Sequence, residues 1–278
     1  MAKTVRSLVV LGDSTTVGVG DPVPGGWRGV GPLLAAALPG ARYLNASVTG
    51  ARVASVRHEQ LPKVLPARPD AAVLLVGMND VLRSDFDGRR LHEDLDAIVG
   101  ALVSAGAVVV TVRFHDHSRV FRLPGALRRA LRARIAELNG IVDAVVRRHG
   151  IECVDLDLVE GAYSPRTWAV DRLHPSEAGH RLLAAAFAAR LARAGCEVPG
   201  RVSPVCTGGL EVTPWHHVGW LVVKGLPWLW RRGRDLVPYA ATIVYRSWAG
   251  HPEPARYVAT EAVAGPATAP SGWGQPSS

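Results

Sequence analysis

Cysteine is scarce in this sequence, and its scarcity limits the classes of protein to which the chain can belong. There are three cysteines in 278 residues, Cys153, Cys196 and Cys206. Three irregularly spaced cysteines are too few for a disulfide framework and do not form a metal-binding pattern. We therefore expect no metal site and a reducing, cytoplasmic location. A Cys196–Cys206 disulfide is expected only if the chain is exported.

The N-terminal stretch lacks a long apolar run. Residues 1–15 read MAKTVRSLVVLGDST and hold one short apolar run that ends at a Gly-Asp-Ser turn. A secretory signal needs a longer apolar region followed by a small-residue cleavage site, so we interpret this stretch as a strand. Hydrophobic residues make up 48% of the chain, which is enough to bury a full core.

Acidic residues are outnumbered by basic ones. The formal net charge is +8, and the sequence pI is about 10.0. A basic chain can attract nucleic acid or anionic lipid. Because the basic residues are dispersed and no recognised nucleic-acid-binding module is present, we expect no nucleic acid partner.

Strand-like and helix-like segments alternate over roughly the first two hundred residues, the length of one ordinary domain. The strand candidates are Ser7–Leu11, Arg42–Asn45, Ala71–Val76, Ala107–Val112 and Glu152–Asp155. The helix candidates are Gly29–Leu38, Val53–Leu65, Asp87–Ala105, Ala126–His149 and Ser176–Ala194. This alternation predicts an α/β fold: a doubly wound, flavodoxin-like parallel sheet of five strands flanked by helices, with a C-terminal helical extension. In such sheets, ligands bind outside the carboxyl ends of the strands.

A serine, an aspartate and a histidine stand where predicted elements meet loops. Ser14 follows the first strand in GDST, while Asp171 and His174 lie in DRLHP, immediately before a predicted helix. A serine hydroxyl becomes a good nucleophile when an imidazole takes its proton and a third group holds the imidazole tautomer. The spacing from Asp171 to His174 fits a tight turn, in which residues three apart approach each other. The three residues are therefore candidates for a catalytic triad.

Two further motifs add candidate donors for a developing negative charge. Gly50 lies in NASVTGARV, and Asn79 follows a buried-type strand in VLLVGMND. With these motifs in this order, the chain resembles the SGNH hydrolases, also called GDSL-type esterases and lipases. The resemblance implies that Ser14 is the nucleophile, His174 the base and Asp171 its orienting group. It also implies an oxyanion hole made by the amides of Ser14 and Gly50 and the side chain of Asn79, with no cofactor.

Several of these residues, and a histidine pair elsewhere, have other interpretations. Taken singly, Ser14 is more typical of a helix cap and Asn79 of a turn, so the combination carries the interpretation. The segment from His115 to His117 reads His-Asp-His and could indicate a metal site. We favour a loop at the rim of the active site, because no further ligand cluster is evident and the chemistry needs no cation.

The character of the sequence changes after residue 196. We expect a hydrolase domain over residues 1–196, a connector and Trp/Arg-rich amphipathic helical extension over 197–249, and a disordered tail over 250–278. Residues 215–248 hold five of the eight tryptophans, interleaved with arginines. No apolar run there approaches the roughly twenty residues that cross a bilayer. The extension is expected either to pack on the domain or on a second copy, or to make peripheral membrane contact.

The sequence therefore predicts a metal-independent serine hydrolase that cleaves carboxylic esters through an acyl-enzyme on Ser14. Its partner would be a small-molecule or lipid ester. Two alternatives stay open: an acyltransferase that uses the same triad, and a non-enzymatic module that binds membrane surfaces. The acyl length, the alcohol and the oligomeric state do not follow from the sequence.

Overall fold

The chain was analysed as a computed structural model. It describes residues 2–120, 123–208, 240–246, 248–249 and 257–259. Most of the Trp/Arg-rich segment 215–248 and most of the tail 250–278 lie outside these ranges, so the expected membrane contact of that segment stays a prediction. Within the described ranges, no helix is both long enough and apolar enough to cross a membrane.

The centre of the fold is a parallel sheet. In chain order the strands are β1 (Lys3–Thr4), β2 (Ser7–Gly12), β3 (Pro22–Val23), β4 (Gly26–Trp27), β5 (Arg42–Asn45), β6 (Ala71–Leu75), β7 (Val108–Arg113), β8 (Glu152–Asp155) and β9 (Cys196–Glu197). Five of them form one sheet in the order β5-β2-β6-β7-β8. Every neighbouring pair in it is parallel. The predicted five-stranded, doubly wound sheet is confirmed.

Helices cover the sheet. They are α1 (Ser14–Val17), α2 (Val30–Ala35), α3 (Val53–Ser55), α4 (Leu61–Val64), α5 (Met78–Val81), α6 (Gly88–Ser104), α7 (Gly125–His149) and α8 (Glu177–Arg193). α2 packs with α8, α6 packs with α7, and both pairs contact the sheet. The central strands β2 and β6 are buried along their whole length, as expected for parallel strands covered on both faces.

The helix expected over Val53–Leu65 is divided. α3 runs into a π-helical turn, Val56–Gln60, before α4 resumes at Leu61. Single π-helical turns are rare and occur often at functional sites. Here the turn places the fully buried Gln60 against the end of β2, where its side chain both accepts from the Gly12 amide and donates to the Gly12 carbonyl.

The beginning of the expected connector packs against the domain. The Gly200 amide donates to the Ala37 carbonyl at 3.0 Å. Arg181 donates to the Ser203 carbonyl at 2.9 Å, and the Thr207 amide donates to the Glu177 carboxylate at 2.7 Å. The chain therefore runs back along α2 and α8 for at least ten residues after β9, instead of leaving the domain at once.

A short segment inside the expected disordered tail is held by contacts. The Tyr257 hydroxyl lies 2.9 Å from His92 Nδ1, and the Tyr257 amide donates to the Glu137 carboxylate at 3.3 Å. Tyr257 and Ala259 pack against the core beside α6 and α7. The expectation of a disordered tail over 250–278 stays a prediction, because the structure describes only residues 257–259 of it.

Candidate active site

Ser14, His174 and Asp171 form a continuous hydrogen-bonded chain. His174 Nε2 lies 2.9 Å from Ser14 Oγ, and His174 Nδ1 lies 2.6 Å from Asp171 Oδ2. With the proton on Nδ1, the ring donates to the carboxylate and leaves Nε2 to accept from the serine hydroxyl. Ser14, which lies 157 positions before Asp171 in the sequence, therefore meets Asp171 and His174 in a geometry that can activate a serine.

The backbone between Asp171 and His174 sets the relative position of the two side chains. Arg172 lies in the left-handed region with φ 57°, which makes the turn tight. Asp171 Oδ1 accepts from the amides of Leu173 at 2.9 Å and His174 at 3.0 Å. Asp171 Oδ1 thus stabilises the turn, and Asp171 Oδ2 orients the imidazole.

The surroundings of Asp171 favour the ionised form of its carboxyl, which is the partner of His174. Burial alone would raise the pKa of this carboxyl. The hydrogen bond and charge of His174 and the amide donors of the turn outweigh burial, so the pKa of Asp171 is lowered from its ordinary value. A carboxylate that stays ionised keeps the imidazole in the tautomer that receives the serine proton.

Ser14 is presented by a tight turn at the carboxyl end of β2. Gly12 has φ 148°, and a Cβ there would lie 2.1 Å from the Leu75 carbonyl oxygen of β6. Only glycine fits this close approach. Asp13 then caps α1 by accepting from the Thr15 amide at 3.0 Å. Ser14 is therefore the first residue of α1, just after the carboxyl end of β2.

Asp13 lies beside Ser14, but the sequence interpretation gave it no role. Its side chain is buried, with 3% of the residue exposed. Burial raises the pKa of this carboxyl to about 6, against the opposing effects of the Thr15 hydrogen bond and the His174 charge. No sequence pattern signals this burial, since an aspartate before a short helix is usually an exposed cap.

We predict that Asp13→Asn flattens the pH dependence of stability. An acid whose pKa is raised in the folded state favours folding below its unfolded value, 3.8, and loses that contribution as the pH rises through about 6. Asparagine does not titrate. Between pH 7 and pH 4, the unfolding free energy of the wild type should rise relative to the variant by roughly 2 kcal/mol. Urea unfolding at both pH values measures this; parallel pH curves would contradict the assignment.

Asn79, in α5, contacts both the turn before Ser14 and the residue that follows Gly50. Asn79 Nδ2 donates to the Ala51 carbonyl at 3.1 Å and, through a longer contact of 3.4 Å, to Asp13 Oδ2. Gly50 has φ 81°, and a Cβ there would meet no other atom within 4 Å. The space beside the Gly50 Cα is therefore open.

The buried carboxylate of Asp80 in α5 holds the chain just after Gly50. Asp80 accepts from the Val53 amide at 3.1 Å and pairs with Arg52 at 3.1 Å. Together with the bond from Asn79 to Ala51, these contacts hold the three residues that follow Gly50. In this motif, Asn79 thus contacts Asp13 beside Ser14, while Asp80 holds the chain after Gly50 in place.

His115 and His117, which the sequence placed in a loop at the rim of the active site, follow β7 and are buried. Their ring centroids lie 4.6 Å apart, and both rings pack on Trp168 at 5.0 Å. Burial lowers the pKa of His115 to about 4 and that of His117 to about 3. Across the described ranges, no group of three or more His, Cys, Asp or Glu side chains is arranged to hold a metal ion.

Known proteins resemble this chain in sequence pattern and in fold. Residues 10–182 match the family model described as the GDSL-like Lipase/Acylhydrolase family. No curated protein matches the chain. Among solved structures, an alpha/beta hydrolase enzyme from the metagenome of Lake Arreo, Spain, is similar at 25% identity and TM-score 0.56, over 69% of this chain and 97% of that one.

Two further solved structures share the fold. An acetylxylan esterase from Geobacillus stearothermophilus is 19% identical, with TM-score 0.54, over 69% of this chain and 95% of its own. A lipase/acylhydrolase from Enterococcus faecalis is 22% identical, with TM-score 0.51, over 73% of this chain and 100% of its own. The family match spans more than half of the residues, and the predicted resemblance is confirmed: this chain belongs to the GDSL-like lipase and acylhydrolase family, the SGNH hydrolases.

Proposed function

We propose that the protein is a serine hydrolase that cleaves carboxylic esters through an acyl-enzyme on Ser14. The observation that carries the proposal is the hydrogen-bonded chain from Asp171 through His174 to Ser14, with distances of 2.6 and 2.9 Å. Membership of a hydrolase family and a fold shared with esterases and lipases support the same chemistry. We further propose that the catalytic unit is residues 1–196.

In the proposed mechanism, His174 Nε2 takes the Ser14 proton while Oγ attacks the ester carbonyl. The imidazolium that forms is stabilised by the Asp171 carboxylate, and it then protonates the departing alcohol. Water then repeats the sequence: His174 takes a proton from water as the water oxygen attacks the acyl carbonyl, and His174 returns the proton to Ser14 Oγ as the acyl bond breaks and the acid leaves. Each step uses side chains of this chain, so we propose that the reaction needs no metal ion.

The negative charge on the substrate oxygen is proposed to rest on three donors. These are the amides of Ser14 and Gly50 and the side-chain amide of Asn79. Asn79 Nδ2 would turn its longer hydrogen bond, now made to Asp13, toward the oxygen as charge develops. The two backbone amides are fixed dipoles that stabilise the transition state without a reorganisation cost, whereas Asn79 exchanges one hydrogen bond for another.

The proposal is tested by incubating the purified chain with p-nitrophenyl acetate and measuring both products. Equal amounts of nitrophenol and acetic acid are expected if water accepts the acyl group. Adding a sugar or lipid alcohol and finding a new ester, with less free acid, would favour the acyltransferase alternative. No release of nitrophenol above the buffer rate would reject both.

We predict that Asn79→Ala lowers kcat for p-nitrophenyl acetate by roughly a hundred- to a thousand-fold, because one oxyanion donor is lost. KM should change little, since the donor acts mainly on the transition state. Asn79→Asp keeps the shape but replaces the donor with a negative charge, so its kcat should be lower still. Equal kcat values in the wild type and both variants would remove Asn79 from the oxyanion hole.

A further inference from the structure

A cavity lies beside the proposed triad. Its volume is about 630 Å³, including the open space at its mouth. Asp13 and Thr15, which flank Ser14 in the chain, line it on one side. Leu173 and Pro175, which flank His174, line it on another. The cavity is therefore lined by the chain neighbours of both Ser14 and His174.

From there the cavity crosses the carboxyl ends of several strands. Thr15 follows β2, Met78 follows β6, Phe114 follows β7 and Leu156 follows β8, and all four residues line it. These four strands are successive neighbours in the sheet. At about 4.8 Å between strands, the line from β2 to β8 is roughly 14 Å long. The cavity is thus elongated and leads away from the triad.

Most of the cavity wall is apolar. Leu182 and Leu183 of α8 and Val159 of the loop after β8 line it, together with the leucine, methionine and phenylalanine side chains at the strand ends. A wall of this kind favours a hydrocarbon chain, because burying apolar surface removes it from water.

His115, two residues after β7, is one of the polar side chains in this wall, with Asp13, Thr15, His117 and Thr167. It is 3% exposed, and neither ring nitrogen has a hydrogen-bond partner among the described residues. An unpartnered buried polar group is unfavourable, and native structures usually satisfy such groups. Since burial lowers the pKa of His115 to about 4, the ring is neutral at pH 7 and offers one donor and one acceptor. A hydroxyl group on a bound ligand would satisfy either nitrogen.

We propose that the cavity binds a medium-length acyl chain that carries a remote hydroxyl group, and that His115 recognises this hydroxyl. The proposal rests on the ester-cleaving function proposed above. β7 lies two strand spacings, roughly 10 Å, from β2. An extended hydrocarbon chain advances roughly 1.25 Å for each carbon–carbon bond of about 1.5 Å. A chain of about eight carbons therefore spans the distance from the Ser14 strand to the His115 strand.

The first test fills the cavity. Val159→Trp and Leu182→Trp should each lower kcat/KM for p-nitrophenyl octanoate at least tenfold while leaving p-nitrophenyl acetate within about threefold. Leu158→Trp is the matched control, because Leu158 is adjacent in the chain but 81% exposed. It should change neither rate. Equal losses on both esters, or no loss on the octanoate, would overturn the acyl-chain assignment.

The second test addresses His115. The wild type should hydrolyse p-nitrophenyl 8-hydroxyoctanoate about tenfold better, by kcat/KM, than p-nitrophenyl octanoate, the factor expected for one buried hydrogen bond. His115→Phe should abolish this preference, and His115→Gln, which keeps a donor and an acceptor, should restore part of it. A merely structural role would lower both rates together and leave the ratio unchanged. Equal rates on the two esters in the wild type would overturn the recognition of a hydroxyl.

Direct binding separates this proposal from the proposed function. Titration calorimetry with sodium octanoate and sodium acetate needs no turnover. Octanoate should bind to the wild type and to the Leu158→Trp control, but not to Val159→Trp, whereas acetate should bind to none of them measurably. If no ester is hydrolysed but octanoate binds in this pattern, the ester-cleaving function fails and the cavity assignment stands. If esters are hydrolysed but octanoate binds no better than acetate, the cavity assignment fails alone.

Discussion

Replacing Ser14 with alanine should lower kcat for p-nitrophenyl acetate by roughly a million-fold, down to the residual rate that binding and the oxyanion donors sustain. The expected loss is this large because the hydroxyl forms the covalent bond to the acyl group, and the 2.9 Å contact with His174 then has no proton to move. The fold should survive. Ser14 contributes its backbone to the start of α1, while the cap comes from Asp13.

The control for this variant is Ser104→Ala. Ser104 is exposed at the end of α6, so the same change of side chain there should leave kcat unchanged. Thermal unfolding of both variants should match the wild type within a few degrees. A Ser14→Ala protein that folds normally and keeps more than a hundredth of the wild-type kcat would remove Ser14 as the nucleophile.

The second large effect is expected for Asp171→Asn, which should lower kcat by roughly ten-thousand-fold. The turn still needs an acceptor for the amides of Leu173 and His174, and the asparagine oxygen can take that position. The side-chain NH₂ group would then face His174 Nδ1, where the carboxylate now lies at 2.6 Å. An NH₂ donor there selects the tautomer with its proton on Nε2, and that nitrogen can no longer receive the Ser14 proton.

The matched control is Asp143→Asn, the same change on α7, where the carboxylate pairs with Arg113. It should alter kcat by less than twofold. Asp171→Ala, which loses the acceptor of the turn as well, should also lower the thermal unfolding temperature, whereas Asp171→Asn should not. If Asp171→Asn keeps a tenth or more of the wild-type kcat, the carboxylate does not control the tautomer of His174.

The proposed triad could be suggested from the sequence because its members stand at positions that follow local rules. Ser14 stands at a strand end after a glycine, and the spacing from Asp171 to His174 fits a turn. The alternation of apolar segments likewise predicted the five strands, which the structure has in the expected parallel sheet. Local backbone chemistry was sufficient for both, because parallel strands deliver their carboxyl ends to one edge.

What the sequence did not predict depends on contacts between distant positions. Gln60 reaches Gly12 across 48 positions, through a π-helical turn that no periodic pattern distinguishes from an ordinary helix. The burial of Asp13 depends on what the other loops place around it. The enclosure of His115 by Tyr163 and Trp168 needs the loop after β8 to fold over the loop after β7. Such loop conformations are set by tertiary packing and not by local propensity.

The most direct test of an activated serine at position 14 is covalent labelling with a fluorophosphonate, followed by intact mass and peptide mapping. The hydrogen-bonded chain from Asp171 to Ser14 predicts one adduct per chain, located on Ser14, that is absent in Ser14→Ala and forms far more slowly in Asp171→Asn. An adduct confined to another residue, or no adduct in a protein that still hydrolyses esters, would contradict this account.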